Sequence, residues 1–463
     1  MKTTDLDCEY YIRKTAEFRS GIFHHIAARD PDQLWLTASL EDVKKVIVIL
    51  SASRSGSSLL SAILKKMPSV YSLSGESVPF YKLNGFSSDT FLSDGIPDSA
   101  IRQGNISGLS RDLLSDFSLP AGENRLIKEE SALIRYIDEL ALRFSLQWPG
   151  TDFSYNEFSR LALKAYEAYA KTRNVFSPED FYLELILWLR QEYKAINPYY
   201  YDIPPEAVRE RFPELDLPSG PPHDTLTIEE PPFILLSPRK KVTKKDLSAK
   251  TLLLKTSADC YRMPFLETIF PRADIRVVYL TRNPLGCVNG LYDGWLHRGF
   301  FSHNLSAILK DGGQILDISG YSGLNEWGRR WWKYDLPGGW RDYAQKSLEE
   351  VCAFQWYSAN YEAGEYLKKS GRRCCRVKYE NMIAGIDSIT GEFDKIMDFF
   401  GPGAGHVTDL GLHKLPVVQA TEPPRIYRWK TRENMLLPLL DDHKTADMAK
   451  ELGYNKNNVE EWF

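Results

Sequence analysis

Val46-Ile47-Val48-Ile49-Leu50-Ser51-Ala52-Ser53-Arg54-Ser55-Gly56-Ser57-Ser58-Leu59-Leu60-Ser61-Ala62-Ile63-Leu64-Lys65-Lys66 decides how this chain is read. The opening apolar run, bounded by small residues, predicts a buried strand. Apolar residues then recur at helical spacing, which predicts a helix over 58–66 that ends before Pro68. A strand that turns into a helix through small residues aims backbone N–H groups and the positive helix end at one point, an arrangement that binds phosphate-like anions. Arg54 adds a fixed positive charge beside that point.

Working outward, 70–73 predicts a second short strand, and Ser74-Gly75-Glu76 lies just past it. Strand, helix and strand in this succession form a right-handed crossover and imply a parallel sheet. The sheet pattern returns at 251–255. A helix over about 262–269 follows, then the clearest strand, 275–280, whose end carries Thr281-Arg282-Asn283-Pro284. A long helix over 346–370, a late strand over 376–379 and a helix over 387–400 complete this part. The intervening segment differs. Residues 82–122 are rich in Gly, Ser and Asp and read as loop; 133–144, 155–170 and 178–195 carry helical apolar spacing; 202–248 are rich in Pro and charge. The expected fold class is therefore α/β: a central parallel sheet flanked by helices, with a large, mostly helical insertion. The expected organisation is an N-terminal helical extension over 1–42, packed outside the core, a sheet core over 43–81 and 249–463, and an insertion over 82–248. The aromatic- and glycine-rich stretch 300–345 reads as a flap.

The composition excludes several classes. In 463 residues, 43% are hydrophobic and 26% charged, as in a soluble globular protein, and the net charge of −4 gives no general nucleic-acid footprint. No apolar run approaches the ~20 residues of a membrane span, and the polar start has no signal-peptide core. The six cysteines form no CxxC pair and no zinc-spaced cluster with His, so no metal site is expected. Their sparseness suits a reducing compartment. A cytoplasmic protein is expected, monomeric or homodimeric.

In open parallel sheets ligands sit beyond the carboxyl ends of the strands. Three such ends carry suggestive groups: the loop 54–58, Glu76, and Arg282-Asn283-Pro284. Two anion sites with an acid between them suit a ligand bearing phosphates at separate positions.

These pieces together resemble sulfotransferases that use 3′-phosphoadenosine 5′-phosphosulfate (PAPS), especially the bacterial and Golgi-like branch with its P-loop-like fold. The first loop is similar to the family's 5′-phosphosulfate loop. Lys255-Thr256-Ser257, Phe270-Pro271 and Val278-Tyr279-Leu280-Thr281-Arg282-Asn283-Pro284 resemble its Lys-Thr-Pro…Phe-Pro…Arg-Asp/Asn-Pro stretch. Ala353-Phe354-Gln355-Trp356 and Val377-Lys378-Tyr379-Glu380-Asn381 resemble its later helix and strand end, and Arg428-Trp429-Lys430 its C-terminal closing loop. The match covers about 43–80 and 250–440; the family's Ser eight residues after the strand-end Arg is here Gly290, with Asn289 before it.

The resemblance implies sulfuryl transfer from PAPS to a hydroxyl or amine of a small-molecule acceptor, leaving 3′-phosphoadenosine 5′-phosphate (PAP), without metal. It implies that Arg54 and the N–H groups of Ser55, Gly56, Ser57 and Ser58 hold the 5′-phosphosulfate, and that Arg282 grips the 3′-phosphate. The hydrogen bond lost with the family's Ser could come from the Asn289 amide or the Gly290 N–H. Glu76 stands where this branch carries its base, or else is an ion-pair partner; His297 and His303 are second choices. Lys255 either orients the acceptor and supports the cofactor loop or caps its strand. Arg425, Arg428 and Lys430 either cover the phosphates or are solvated, and Trp429 either stacks or packs. The aromatic content favours a natural-product, phenolic or lipid-like acceptor, in a pocket built by the insertion and 300–345.

The alternatives remain a P-loop-type kinase and a non-catalytic nucleotide-binding protein. The kinase loop requires G-x-x-x-x-G-K-[ST], whereas Gly56 is the loop's only glycine and Ser57 follows it. A nucleophile elbow requires G-x-S-x-G and a dinucleotide site G-x-G-x-x-G; neither occurs in this loop.

Overall fold

The computed structural model describes residues 3–87, 92–120, 125–199, 203–230, 236–310, 316–384, 386–401, 415–419 and 427–462. Nine strands occur among them: β1 (Lys45–Leu50), β2 (Val70–Ser72), β3 (Ser118–Leu119), β4 (Lys240–Lys241), β5 (Thr251–Lys255), β6 (Asp274–Thr281), β7 (Phe301–Asn304), β8 (Trp331–Lys333) and β9 (Cys374–Lys378). The chain divides into two compact units. One comprises 1–39, 72–86 and 105–244; the other comprises 40–71, 87–104 and 245–463.

The second unit is the sheet unit. Its strand order is β2-β5-β1-β6-β9. β1 pairs parallel with β5 and with β6, and β6 pairs parallel with β9. Val46 to Leu50 are all buried, as a central strand covered on both faces requires. The helix Ser57–Leu64 lays Leu59, Leu60, Ile63 and Leu64 against Ile47, Ile49, Leu253, Val278 and Val377. Burying each such side chain contributes about 1.5–3 kcal/mol before entropy is counted. The register aligns Ile49 with Lys255 and Leu50 with Tyr279, so three strands end side by side.

The first unit is helical. Its helices Thr3–Arg29, Glu130–Gln147, Tyr155–Thr172 and Pro178–Leu189 share one aromatic-rich core. In Tyr155–Thr172 the buried residues Phe158, Leu161, Ala162, Ala165, Tyr166 and Tyr169 recur every three or four positions, the stripe of a helix buried on one face. Antiparallel β3 and β4 lie in this unit, and Ser72 at the end of β2 pairs antiparallel with Ser118. The fold class is thus the expected one, α/β with a mostly parallel sheet.

Three local expectations differ. Residues 82–122 are not a plain loop: they contain parts or all of Val78–Leu83, Asp98–Gln103 and Ile106–Asp116. The Asn105 side chain caps the last of these by accepting from the Gly108 N–H, and its buried Leu109, Leu113 and Leu114 outweigh the Ser and Gly content. The N-terminal helix lies in the helical core rather than outside it, through Ile22, Phe23 and Ile26. Finally, the described residues of 300–345 are packed rather than flap-like: β7 and β8 pair antiparallel, and Trp331, Trp332 and Trp340 are fully buried. Among the described residues no helix is long and apolar enough to cross a membrane.

Candidate functional site

The strand–helix turn of the sheet unit has a strained backbone. Arg54 has φ 67° and Gly56 has φ 91°. Gly56 caps the helix Ser57–Leu64, and a Cβ there would stand 2.3 Å from Cδ2 of Tyr379. Only glycine meets both demands, the left-handed φ and the aromatic ring beneath it. Below the turn, buried Cys287 donates to the Ser53 carbonyl at 3.1 Å; burial pushes its thiol up to about 11, so it stays protonated.

The strand register brings two cations to this turn. Lys255 Nζ donates to Ser58 Oγ at 3.1 Å. Arg282 Nη1 donates to the Arg54 carbonyl at 2.8 Å, and its guanidinium lies 4.4 Å from the Tyr379 ring centre. Arg282 Nε is buried without a hydrogen-bond partner. A buried orphan donor on a charged group is costly and calls for an explanation. Gly290 adjoins both arginines: a Cβ there would lie 3.3 Å from Arg54 Cβ and 3.7 Å from Arg282 Nη1. Arg54, Lys255, Ser58, Arg282 and Gly290, singled out separately in the sequence, therefore meet.

Other candidates have partners of their own. The Asn289 amide oxygen accepts from Arg432 Nη1 at 2.6 Å. Arg428 pairs with Asp293, which Arg432 also meets at 2.7 Å. Trp429 is buried and donates to the Trp462 carbonyl at 3.2 Å, so it packs. Lys430 is exposed and pairs with Glu460 at 2.5 Å. Arg425 lies outside the described residues. Glu76 belongs to the helical unit, half-buried in the turn before the helix Val78–Leu83.

Both histidines are engaged. The Gly299 N–H donates to His297 Nδ1 at 3.2 Å, which leaves the proton of the neutral ring on Nε2. Burial, with the charges of Arg298, Lys333 and Arg54, lowers His297 to about 4. His297 is thus neutral at pH 7, with its Nδ1 engaged as an acceptor. His303 is buried, with Nε2 3.4 Å from Asp94, which also pairs with fully buried Arg262.

Two residues at the turn have no local sequence signal. Asp335 accepts from Ser53 Oγ at 2.6 Å and from the Tyr261 hydroxyl at 2.8 Å; burial raises it to about 6 against those two hydrogen bonds. Gln419 places its carbonyl oxygen 2.8 Å from Arg54 Nη1 and its side-chain oxygen 2.9 Å from Ser58 Oγ. Gln419 is itself left-handed, at φ 50°. Phe300 and Tyr334, also left-handed, stack at 5.0 Å, and Arg54 lies 5.3 Å from the Phe300 ring centre. Four of the five non-glycine residues with positive φ among those described thus join one contact chain. Such strain, costing about 1–3 kcal/mol per residue, clusters at binding and catalytic sites.

No family model matches the chain. No curated protein matches it either. Among solved structures, a sulfotransferase domain from the curacin biosynthetic pathway is similar at 13% identity and a TM-score of 0.33, over 89% of this chain and 99% of that one. A sulfotransferase domain from the Synechococcus PCC 7002 olefin synthase is similar at 14% identity and a TM-score of 0.33, over 89% and 96%.

Proposed function

We propose that this chain is a sulfotransferase that moves a sulfuryl group from PAPS to a hydroxyl or amine of a small-molecule acceptor. The supporting observation is the convergence of Arg54, Lys255 and Arg282 on one strand–helix turn, with Arg282 Nε buried and unpartnered. These residues fit a nucleotide with anionic groups at two places. PAPS supplies the sulfuryl group and a phosphate leaving oxygen when bound. Arg54 and the N–H groups of residues 55–58 would stabilise negative charge at the mouth of the turn, already oriented and needing no reorganisation. Lys255 would hold the Ser58 hydroxyl in place. Arg282 would meet the 3′-phosphate next to Gly290, where the helix backbone comes close to both arginines. Glu76 is the proposed base, as the resemblance implies; His297 is set aside because its Nδ1 already accepts from the Gly299 N–H.

The reading is tested by thermal shift with PAP and with ADP, followed by transfer of labelled sulfate from PAPS to a panel of phenols, alcohols and amines. A ligand that binds only the folded state at 100 times its Kd adds about 2.7 kcal/mol of stability. Stabilisation by PAP well above ADP, with turnover, is expected. Equal stabilisation by ADP favours a kinase-like site, and PAP binding without turnover on any acceptor leaves a nucleotide-binding protein; each overturns the proposal.

Gln419 gives a second check. Its two oxygens occupy donors that an anion would use. Gln419→Ala frees the Ser58 hydroxyl, and one hydrogen bond is worth about 0.5–1.5 kcal/mol net. PAP affinity, read by calorimetry, should rise roughly two- to tenfold. A fall would make Gln419 a ligand contact instead of a competitor.

A further inference from the structure

The helical unit holds a polar cavity that none of the roles above uses. It is lined by Ser74, Asp116, Glu139, Arg143, Arg239 and Lys241, with Phe80, Leu142 and Leu236 as apolar wall. Its charges are unevenly matched. Arg143 is fully compensated: it donates to Glu229 at 2.7 Å and to Asp116 at 2.8 Å. Asp116 in turn accepts from the Ser74 N–H at 2.8 Å. Half-buried Arg239 has one described hydrogen bond, to Ser118 Oγ at 2.5 Å, and no carboxylate within ion-pair distance among the described residues. Lys241 donates to the Gln33 side-chain oxygen at 2.9 Å. Glu139 lines the cavity without a described hydrogen bond or ion pair. Two cations and one acid therefore face the space outside any contact pair. A partly buried guanidinium gains from a nearby anion, and Arg239 has four N–H donors left to offer.

We propose that this cavity binds the carboxylate head of a small organic acid, with Arg239 as its principal partner and Lys241 as the second cation. The cavity volume is about 40 Å³. On a scale where roughly 10–15 Å³ admits one water, this takes a group of about three heavy atoms. A carboxylate has that size; a tetrahedral sulfate or phosphate has five. The guanidinium fork suits a planar carboxylate with two parallel hydrogen bonds. The cavity thus takes the head group alone, and the apolar chain of the acid would leave past Lys241, the exposed residue of the lining.

Glu139 couples this site to pH. Burial raises it to about 7, opposed by Lys241 and Arg239 and reinforced by Asp116 and Asp138. Arg143 and Tyr136 also face Arg239, and Arg135 faces Lys241. A bound carboxylate favours protonated Glu139, which removes a repelling charge and supplies a donor. Affinity is therefore full below about pH 7 and falls above it, by at most tenfold per pH unit.

The test is calorimetry on the full chain with hexanoate, and with inorganic sulfate as control, between pH 6 and 8.5. Hexanoate should bind at least tenfold tighter than sulfate, and more weakly as pH rises. Arg239→Gln should lose hexanoate binding, with PAP affinity as a check that the chain still folds. Glu139→Gln should keep the binding and flatten its pH profile. Unchanged hexanoate binding in Arg239→Gln, sulfate binding equal to hexanoate, or no hexanoate binding in the parent chain overturns the proposal. The site stands on the helical unit alone, so PAP binding to the parent chain is untouched by its failure.

Discussion

On the proposed function, Arg54→Gly is expected to cut sulfuryl transfer at least a hundredfold while leaving the fold as stable as before, or more so. Two physical effects act in opposite directions at this position. The guanidinium is a preoriented donor at the turn, and removing one such donor costs on the order of 10²–10³-fold in rate, about 3–4 kcal/mol of transition-state stabilisation. The backbone, however, is left-handed at φ 67°. A non-glycine residue there pays about 1–2 kcal/mol that glycine does not. The lost Gln419 hydrogen bond and the Phe300 contact offset part of that relief. Activity and stability should therefore separate: transfer of labelled sulfate falls at least a hundredfold, while the chemical-denaturation midpoint stays within error or rises. Wild-type transfer by this variant would remove Arg54 from the mechanism. A collapse in stability would show that the residue is retained for packing instead.

Gly56→Ala should be the most damaging single change in the turn. A methyl group there would sit 2.3 and 2.5 Å from two ring carbons of Tyr379, on a backbone at φ 91°. The left-handed conformation costs about 1–2 kcal/mol, and forcing the ring aside adds roughly 1–3 kcal/mol. Arg282 lies against the same ring, so the shift would also move the second cation. A loss of about 2–5 kcal/mol in unfolding free energy and of PAP binding is expected. The double variant with Tyr379→Ala separates the two causes: it should regain the steric share but not the conformational one. Near-parental stability of Gly56→Ala would mean that the turn relaxes freely and is not preorganised.

Much of this site was legible before any tertiary contact was known. The turn 51–58 announces itself because its signal is local: a buried strand, small residues, and a helix within a few positions of one another. Lys255 and Arg282 were identifiable as strand-end cations for the same reason. Their meeting with Ser58 and with the Arg54 carbonyl was not, because it depends on strand register, and that alignment of Ile49 with Lys255 and Leu50 with Tyr279 is set by packing across the sheet. Asp335 and Gln419 carried no local signal at all. Asp335 approaches Ser53 from an aromatic-rich segment 282 residues away, and Gln419 approaches Arg54 from 365 residues away.

The C-terminal basic residues show how partners are chosen in space. Arg428 and Lys430 read as a cluster because they are close in sequence, yet Asp293 takes one and Glu460 the other. Charge in sequence says only that a partner is needed, and the fold chooses which.

The amino-acid order by itself determined the α/β class and the place of the strand–helix turn, since strand and helix periodicity act over a few positions. Tertiary structure alone decided which distant groups face that turn, and that Arg239, unremarked in the sequence, ends at a cavity without a contact carboxylate. The pairing of charges is a matter of position in space, and no spacing along the chain encodes it.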